Sequence, residues 1–344
     1  MQNGQPETKE EYIQHAHEVG KQNDIPADMV DEIMSAVHDC ALWETEIRRL
    51  ADYPDIKYLK RLYMRDISEP ETKPDYHIAA RQAIIGDISG SMDEFQSTRH
   101  SKTIPDSRGY YTDDTVLTVA TEKAIEKCKL APNFTKYYLR LARKFPDAGY
   151  GGAFSSWFRQ PGKPKGYHSA ANGCLMRIGP IPFAYKYKKA VDMGIKSCMT
   201  THDHVVSVKA VIIYVTCCFM AMNNYPKEEI LAYVKSCYPS APLHTFAKFA
   251  YKFGETFEES TELNRKLPGD APLMAHNMIC CVVDAFAHTN SFRECMEELI
   301  LARGDTDTAC AIAGPLCYAY YKTEEFNTKG IMEKFKVNEI YLIK

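Results

Sequence analysis

Two acidic clusters that lie far apart in the chain place the strongest constraint on its fold. Residues 111–115 read YTDDT and residues 303–308 read RGDTDT, and each cluster stands directly before a run with helix-like spacing of apolar residues. Thr and Asp are favoured N-caps, and acidic side chains suit the positive end of a helix dipole. Either cluster, taken singly, is therefore typical of a plain helix start.

The number of oxygen atoms in the two clusters favours a second interpretation. Capping needs one side-chain oxygen, whereas each cluster offers several carboxylate and hydroxyl oxygens. Mg²⁺ and Mn²⁺ are hard ions that take about six oxygen ligands. Two acidic pairs with their Thr hydroxyls supply that number, so we predict that folding joins the clusters into one oxygen-lined pocket for divalent cations.

Helical periodicity prevails along the chain, and we find neither an internal repeat nor an alternation of strands with helices. Predicted helices cover approximately residues 80–85, 113–130, 135–145, 185–199, 205–222, 227–236, 274–287 and 291–301, with a last long helix from residue 307 or 308. Pro315 is expected to kink or break that last helix. Only residues 338–343 look strand-like, and they are too few to imply a sheet. The predicted class is all-α.

The chain of 344 residues is long enough for one large domain or two modest ones. Its first 75 residues differ from the rest: apolar residues recur at helical spacing between positions 29 and 50, and residues 68–74 form a charged linker with two prolines. We predict an N-terminal helical extension over residues 1–75, for which the sequence suggests no chemistry, followed by the main domain over residues 76–344.

Charge and composition argue against several partners. A net charge of −3 gives no electrostatic case for nucleic acid or for an acidic membrane surface. The most apolar run, residues 205–222, contains Ser207, Lys209 and Thr216, so we predict a buried core helix rather than a membrane span. The 12 cysteines include no Cys-x-x-Cys pair, and the N-terminal residues lack an apolar signal segment. These features predict a cytoplasmic protein with reduced cysteines.

Four other segments carry signals that taken singly are weak. Residues 86–95 read GDISGSMDEF, and their glycines let another backbone or a ligand approach closely. The polar loop 96–108 is long enough to act as a lid. Residues 149–157 favour a turn with aromatic packing, although glycines before a helix also suit phosphate binding. Residues 200–204 hold two histidines, but no third nitrogen or sulfur ligand is evident nearby, so we do not expect zinc.

Six short patterns, several of them described above, follow one another along the chain in a specific order. They are GDxxGSxxE at 86–94, TDDT at 112–115, GYGG at 149–152, NGxxMR at 172–177, THxH at 201–204 and GDTDT at 304–308. Together they resemble the ADP-ribosylglycohydrolases, the bacterial group whose founding member reactivates ADP-ribosylated dinitrogenase reductase. The resemblance covers approximately residues 76–321, so the main domain corresponds to the catalytic domain of that family and the extension lies outside it.

The resemblance implies a compact multi-helix fold around a central cleft that holds two Mg²⁺ or Mn²⁺ ions. The implied metal ligands are Thr112, Asp113, Asp114, Asp305, Asp307 and Thr308. The implied substrate-binding residues, along the ADP-ribose, are Gly149, Gly151, Ser169, Asn172, Gly173 and His202. Glu94 corresponds to an acidic residue on a flap near the reactive ribose. Glu94, Asp113 and Asp307 are the candidates for the catalytic base.

The implied reaction is hydrolysis of the bond between C1 of the distal ribose and a protein side chain. Arginine is the expected linkage, and a serine-linked or other ADP-ribose conjugate is the alternative. A non-catalytic ADP-ribose-binding relative is an alternative of a different class. The expected partners are an ADP-ribosylated protein as substrate and ADP-ribose as product, without nucleic acid or membrane.

Overall fold

The computed structural model describes residues 56–96, 98–238 and 273–343, so the helix expected between positions 29 and 50 lies outside the described residues. The described residues form 14 α-helices, and their only β-structure is an isolated bridge between Ala171 and Met274. The helices are α1 Ile56–Tyr63, α2 Tyr76–Gly90, α3 Asp113–Lys127, α4 Phe134–Lys144, α5 Gly152–Arg159, α6 Ile181–Ala184, α7 Tyr187–Cys198, α8 Val205–Met222, α9 Lys227–Cys237, α10 Ala275–His288, α11 Phe292–Ala302, α12 Thr306–Tyr321, α13 Thr328–Lys334 and α14 Asn338–Tyr341. The predicted all-α class is confirmed.

The most extensive helix–helix contact joins α2 and α12. A Cβ atom on Gly86 would stand 2.1 Å from the carbonyl oxygen of Cys310, and one on Gly90 would stand 2.3 Å from that of Thr306. The two backbones therefore touch directly, which requires residues without side chains at both positions. This contact holds the end of α2 against the start of α12.

Helix α8 forms the centre of the core. All 18 of its residues are buried, and it packs against α7, α10 and α12. Its length and composition alone would allow it to cross a membrane, but its whole surface is covered by the rest of the fold. The prediction of a buried core helix over residues 205–222 is confirmed.

One expectation about the C-terminal part was wrong, and a second was wrong in part. Residues 338–343 are not strand-like: they contain helix α14, in which Ile340 is buried, whereas Leu342 beyond it is 76% exposed. A strand needs a partner, and the described residues offer no sheet to receive one. The expected break of α12 at Pro315 does not occur, because the helix continues to Tyr321, whereas the alternative of a kink there stays a prediction. The proline ring packs against Gly179, where a Cβ atom would stand 2.7 Å from its Cγ.

The described residues before position 76 contact the main body. Helix α1 packs against α8. The Lys60 ammonium lies 2.6 Å from the Asp192 carboxylate, and the Tyr233 hydroxyl donates to the carbonyl oxygen of Tyr63 at 2.5 Å. The boundary at residue 75 stays a prediction, but residues 56–75 are joined to the body by these contacts.

Candidate metal centre and substrate cleft

The two acidic clusters meet where α3 and α12 begin. Thr112 caps α3 through its hydroxyl, and Asp305 occupies the N-cap position of α12 without a side-chain capping hydrogen bond. The Thr308 hydroxyl donates to Asp114 Oδ2 at 3.3 Å, and the Thr112 hydroxyl oxygen lies 3.3 Å from the same oxygen. Both clusters therefore start helices, and the fold also brings their side chains into one buried group.

One further carboxylate, that of Glu94, joins this group from the turn after α2. Carboxylate oxygens of Glu94, Asp305 and Asp307 lie within 4.8 Å of one another, which is a spacing that one metal ion can bridge. The backbone N–H of Phe95 donates to the carbonyl oxygen of Gly304 at 2.7 Å, so this turn is attached to the second acidic cluster. Glu94 thus lies at the edge of the metal candidates, at the start of the predicted lid.

The clustered carboxylates raise one another's pKa values. Burial and the nearby Asp side chains raise the pKa of Asp113, Asp114 and Asp307 well above their usual range. Burial, then Asp305 and Asp87, raise the pKa of Glu94 to about 7. A divalent cation bound among these carboxylates would reduce their mutual repulsion.

The donor set fits a hard divalent cation. Asp114 Oδ1 is buried and, among the described residues, has no hydrogen-bond partner. A buried carboxylate oxygen left without a donor is costly in a protein interior, and coordination of a cation would satisfy it. The surrounding ligands are carboxylate and hydroxyl oxygens, which suit Mg²⁺ and Mn²⁺. The acidic clusters can therefore bind a metal.

Asp87 is a central residue that the sequence interpretation missed. Its carboxylate is fully buried, accepts from the Thr112 N–H at 2.9 Å and hydroxyl at 2.8 Å, and also accepts from the Thr115 N–H and hydroxyl. Burial raises the pKa of Asp87 to about 6, while these hydrogen bonds act in the opposite direction. A signal was present: Asp87 is an acidic residue within the apolar sequence AIIGDISG of α2.

We expect Asp87→Asn to weaken metal binding although Asp87 is not a proposed ligand. An amide keeps one acceptor oxygen, and its NH₂ group would face either the Thr112 hydroxyl at the Oδ1 position or the N–H groups of both Thr112 and Thr115 at the Oδ2 position, so the start of α3 would shift. Loss of such an outer hydrogen-bond partner costs roughly 10- to 100-fold in metal affinity. Calorimetric titration with Mn²⁺ measures it, and Asp66→Asn, on the exposed surface, is the control. Unchanged affinity in Asp87→Asn would contradict this role.

Residues 169–173 carry three of the predicted substrate-binding residues, and this segment, the substrate loop, contacts the metal candidates through one amide. Asn172 Nδ2 donates to Asp305 Oδ2 at 2.7 Å. Gly173 follows, and a Cβ atom there would stand 3.2 Å from His202 Nε2, so the loop backbone lies directly on the imidazole. Ser169 is tied into its own turn, because its hydroxyl accepts from the Ala171 N–H at 3.2 Å. The structure thus joins Asn172, Gly173 and His202 to the acidic group, with Ser169 farther along the loop.

The glycine segment before α5 borders the cleft next to Asp113. A Cβ atom on Gly149 would stand 3.8 Å from Asp113 Oδ1, whereas one on Gly151 would meet nothing within 4 Å. The ring of Tyr150 stacks on that of Phe154 with centroids 5.3 Å apart, so the expected aromatic packing is present. Gly149 therefore lies beside the acidic group, and Gly151 faces open space at the start of α5.

The two histidines within residues 200–204 have different roles. His204 caps α8, because its Nδ1 accepts from the Val206 N–H at 3.2 Å. Asp203 between the histidines accepts from the His168 N–H at 2.6 Å. His202 instead is buried against Gly173. His204 and Asp203 thus support local structure, and His202 alone of the three lies at the substrate loop.

The polar loop after Glu94 is organised by two buried carboxylates. Asp93 accepts from the N–H groups of His100 and Ser101. Asp106 accepts from the Lys102 N–H at 2.8 Å and from the guanidinium of Arg108. Ser97 lies outside the described residues, and the lid role stays a prediction.

A family model described as ADP-ribosylglycohydrolase matches residues 78–333, which is most of the chain. The chain belongs to the ADP-ribosylglycohydrolase family. Its activity is therefore that of a hydrolase acting on glycosidic bonds to ADP-ribose. The predicted family resemblance is confirmed, and the extension before residue 76 lies outside the matched range.

Relatives of this ADP-ribosylglycohydrolase are distant in sequence. It is 21% identical over 309 residues to ADP-ribosylhydrolase ARH3 from Homo sapiens, a match that covers 71% of this chain and 84% of the relative. The Mus musculus ARH3 matches at 21% identity and is covered to 82%. A solved structure described as an ADP-ribosylglycohydrolase-related protein complex shares the fold with a TM-score of 0.54 at 22% identity, covering 78% of this chain and 98% of the other.

Proposed function

We propose that this protein removes ADP-ribose from a modified protein side chain, with two divalent cations, Mg²⁺ or Mn²⁺, held between the starts of α3 and α12. The observation that carries the proposal is the meeting of the two acidic clusters with Glu94 at their edge. The proposed metal-binding residues are Thr112, Asp113, Asp114, Asp305, Asp307 and Thr308. When bound, the cations would orient the ribose hydroxyls and lower the pKa of a water molecule in the cleft.

The chain's own carboxylates suit the chemistry of glycoside hydrolysis. The anomeric carbon passes through an oxocarbenium-like state, which nearby negative charge stabilises. The base must also lose its proton near the working pH, and a pKa of about 7 gives Glu94 that property in the absence of metal. Asp113 and Asp307 remain the other candidates for this role, because both lie in the same group. Asn172 and His202 would hold the ADP-ribose beside it.

An arginine linkage is the finer part of the proposal. An ADP-ribosylated guanidinium is cationic, and the Glu94 carboxylate offers it an opposite charge. Phe95 follows Glu94 in the chain and is 53% exposed, and Tyr110 lies near Glu94 and is 52% exposed. Either ring could place an aromatic face against the cationic guanidinium of the substrate. A serine-linked conjugate lacks that charge and is the second candidate. The names of the ARH3 relatives specify ADP-ribose but no linkage.

The test is release of ADP-ribose from arginine-linked and serine-linked peptides, with Mg²⁺, with Mn²⁺ and with EDTA. We expect metal-dependent release, faster from arginine. Faster release from serine would overturn the linkage, and metal-independent release would overturn the metal role. Release from neither peptide, together with calorimetric binding of ADP-ribose, would favour the non-catalytic binding alternative.

Metal binding is also expected to stabilise the fold more strongly as the pH rises. Burial raises the folded-state pKa of Asp113, Asp114 and Asp307 above the unfolded value of 3.8. Between these values the folded state binds more protons, so this contribution to stability is present at low pH and is lost as the pH rises through the folded-state pKa. Mn²⁺ at a free concentration of about 100 Kd adds about 2.7 kcal/mol to the free energy of unfolding, which raises Tm by roughly 4 °C in a chain of this length.

Differential scanning fluorimetry with Mn²⁺ and with EDTA measures this effect. The rise in Tm caused by Mn²⁺ should be larger at about pH 8 than at about pH 6, because protons compete with the cation for the carboxylates. Ca²⁺ is a useful comparison cation, since it prefers longer bonds and more ligands. An equal or smaller Mn²⁺ shift at the higher pH would contradict the assignment of this acidic group as the metal site.

A further inference from the structure

Arg177 is a buried cation that the proposed function leaves without a task. Its side chain is fully buried, and the guanidinium carbon lies 4.4 Å from the centroid of the Tyr138 ring. Within the described ranges it forms no salt bridge with a carboxylate, and its Nε and Nη1 atoms have no hydrogen-bond partner. Burying an unpaired charge is costly, so a guanidinium at this place calls for a role.

The bonded part of the guanidinium points toward the turn between α7 and α8, which carries His202. Arg177 Nη2 donates to Thr201 Oγ1 at 2.7 Å and lies 3.3 Å from Thr200 Oγ1. It also donates to the carbonyl oxygen of Ser197 at 3.1 Å. Arg can only donate hydrogen bonds, so Thr201 Oγ1 must accept at this contact.

Thr201 in turn determines where the proton of His202 lies. The distance between Thr201 Oγ1 and His202 Nδ1 is 2.7 Å. A Thr hydroxyl has one hydrogen to donate and can accept two. Arg177 occupies one acceptor position of this oxygen, so its guanidinium stands on the Nδ1 side of the imidazole. A positive charge on that side disfavours a proton on Nδ1, and the Thr201 hydrogen is therefore assigned to Nδ1, which accepts it and carries no proton.

The remaining proton of the neutral ring then sits on Nε2. Burial and, secondly, the Arg177 guanidinium lower the pKa of His202 well below its usual range, so the ring stays neutral. Nε2 faces Gly173, where the absence of a side chain leaves this edge uncovered. In the described part of the chain, no hydrogen bond from Nε2 to another residue is formed. The ring therefore presents an N–H donor at the substrate loop.

We propose that Arg177 and Thr201 are positioning residues that fix His202 as the Nε2–H tautomer, so that it donates a hydrogen bond to an oxygen of bound ADP-ribose. This role rests on the proposed function, because it assigns the donor to the same substrate. The two residues touch no reacting atom and act only through the imidazole. Without the relay, the ring could carry its proton on Nδ1 and would offer the substrate a lone pair instead of a donor.

The tautomer is measured in the ligand-free full-length protein labelled with ¹⁵N-histidine. Long-range ¹H–¹⁵N spectra distinguish a protonated ring nitrogen from an accepting one, and His202→Gln assigns the signal. We expect Nε2 protonated and Nδ1 accepting, unchanged between about pH 6 and about pH 8. A proton on Nδ1 in the wild type would overturn the proposal.

Matched Thr variants measure the consequence for ADP-ribose binding by calorimetry in Mg²⁺ buffer. Thr201→Val removes the hydroxyl at nearly constant volume and should weaken binding roughly 10-fold or more, with a mixed His202 tautomer. Thr201→Ser keeps the hydroxyl and should restore both. Thr200→Val is the control, because Thr200 also contacts Arg177 yet donates to the Ser197 carbonyl oxygen at 2.8 Å rather than to His202.

The outcomes separate this relay from a general structural role. Equal losses in Thr200→Val and Thr201→Val, or wild-type affinity in Thr201→Val, would overturn it. Failure of the wild type to bind ADP-ribose would overturn the substrate role together with the proposed function. The tautomer is read without ligand, so that failure is distinguishable from failure of the relay itself.

Discussion

Replacing Asp307 with Asn is expected to remove metal-dependent hydrolysis while the protein stays folded. Asn has nearly the same shape, and its oxygen can still accept from the Thr308 N–H, which now donates to Asp307 Oδ1 at 2.9 Å. The substitution removes a negative charge from the group that Asp307 shares with Glu94 and Asp305. The loss of several kcal/mol of transition-state stabilisation corresponds to a fall of roughly 10³-fold in kcat/KM.

Stability measurements separate this effect from misfolding. Because the pKa of Asp307 is raised well above its usual range, its ionised form destabilises the metal-free fold. Asp307→Asn should therefore melt at the same temperature as the wild type or higher in EDTA, and gain little from Mn²⁺. Asp192→Asn, which removes a surface carboxylate paired with Lys60, is the control and should hydrolyse normally. Normal activity in Asp307→Asn would refute the ligand assignment.

The acidic clusters could be predicted because each one places several oxygen-bearing side chains within a few consecutive residues. Residues 112–115 and 304–308 carry more oxygen atoms than a helix cap uses, and that surplus is visible in the sequence alone. Helix positions were likewise readable from apolar spacing: residues 205–222 were predicted as one core helix, and α8 spans Val205–Met222. Both features depend on residues that are near one another in the chain.

The supporting residues could not be predicted in this way, because their roles depend on contacts between distant segments. Asp87 holds the start of α3 by accepting hydrogen bonds from Thr112 and Thr115. Arg177 donates a hydrogen bond to Thr201, which lies in the turn before α8. Nothing in the local sequence states which residue a buried charge will meet. The prediction of strand-like structure for residues 338–343 was wrong for the same reason. Helix α14 packs against α3, where Lys123 donates to the carbonyl oxygen of Tyr341 at 2.7 Å.

Gly90 links the fold to the metal centre, and Gly90→Ala is expected to damage both. A Cβ atom there would stand 2.3 Å from the carbonyl oxygen of Thr306 and 2.6 Å from the backbone nitrogen of Asp307. Backbone atoms cannot rotate away as a side chain would, so α12 must shift at its first turn, which carries Asp307. We expect a loss of about 3 kcal/mol in the free energy of unfolding, larger than the benefit of Ala in a helix.

Urea denaturation and Mn²⁺ calorimetry measure the two consequences of Gly90→Ala separately. Gly152→Ala is the matched control, since Gly152 lies in the first turn of α5 and an added Cβ atom meets nothing within 4 Å. The control should unfold at the wild-type urea concentration or above it and bind Mn²⁺ normally. If Gly90→Ala did the same, the backbone contact of α2 with α12 would not be what holds Asp307 in place. Weak Mn²⁺ binding in a Gly90→Ala protein that is still folded would show that the contact positions the carboxylates.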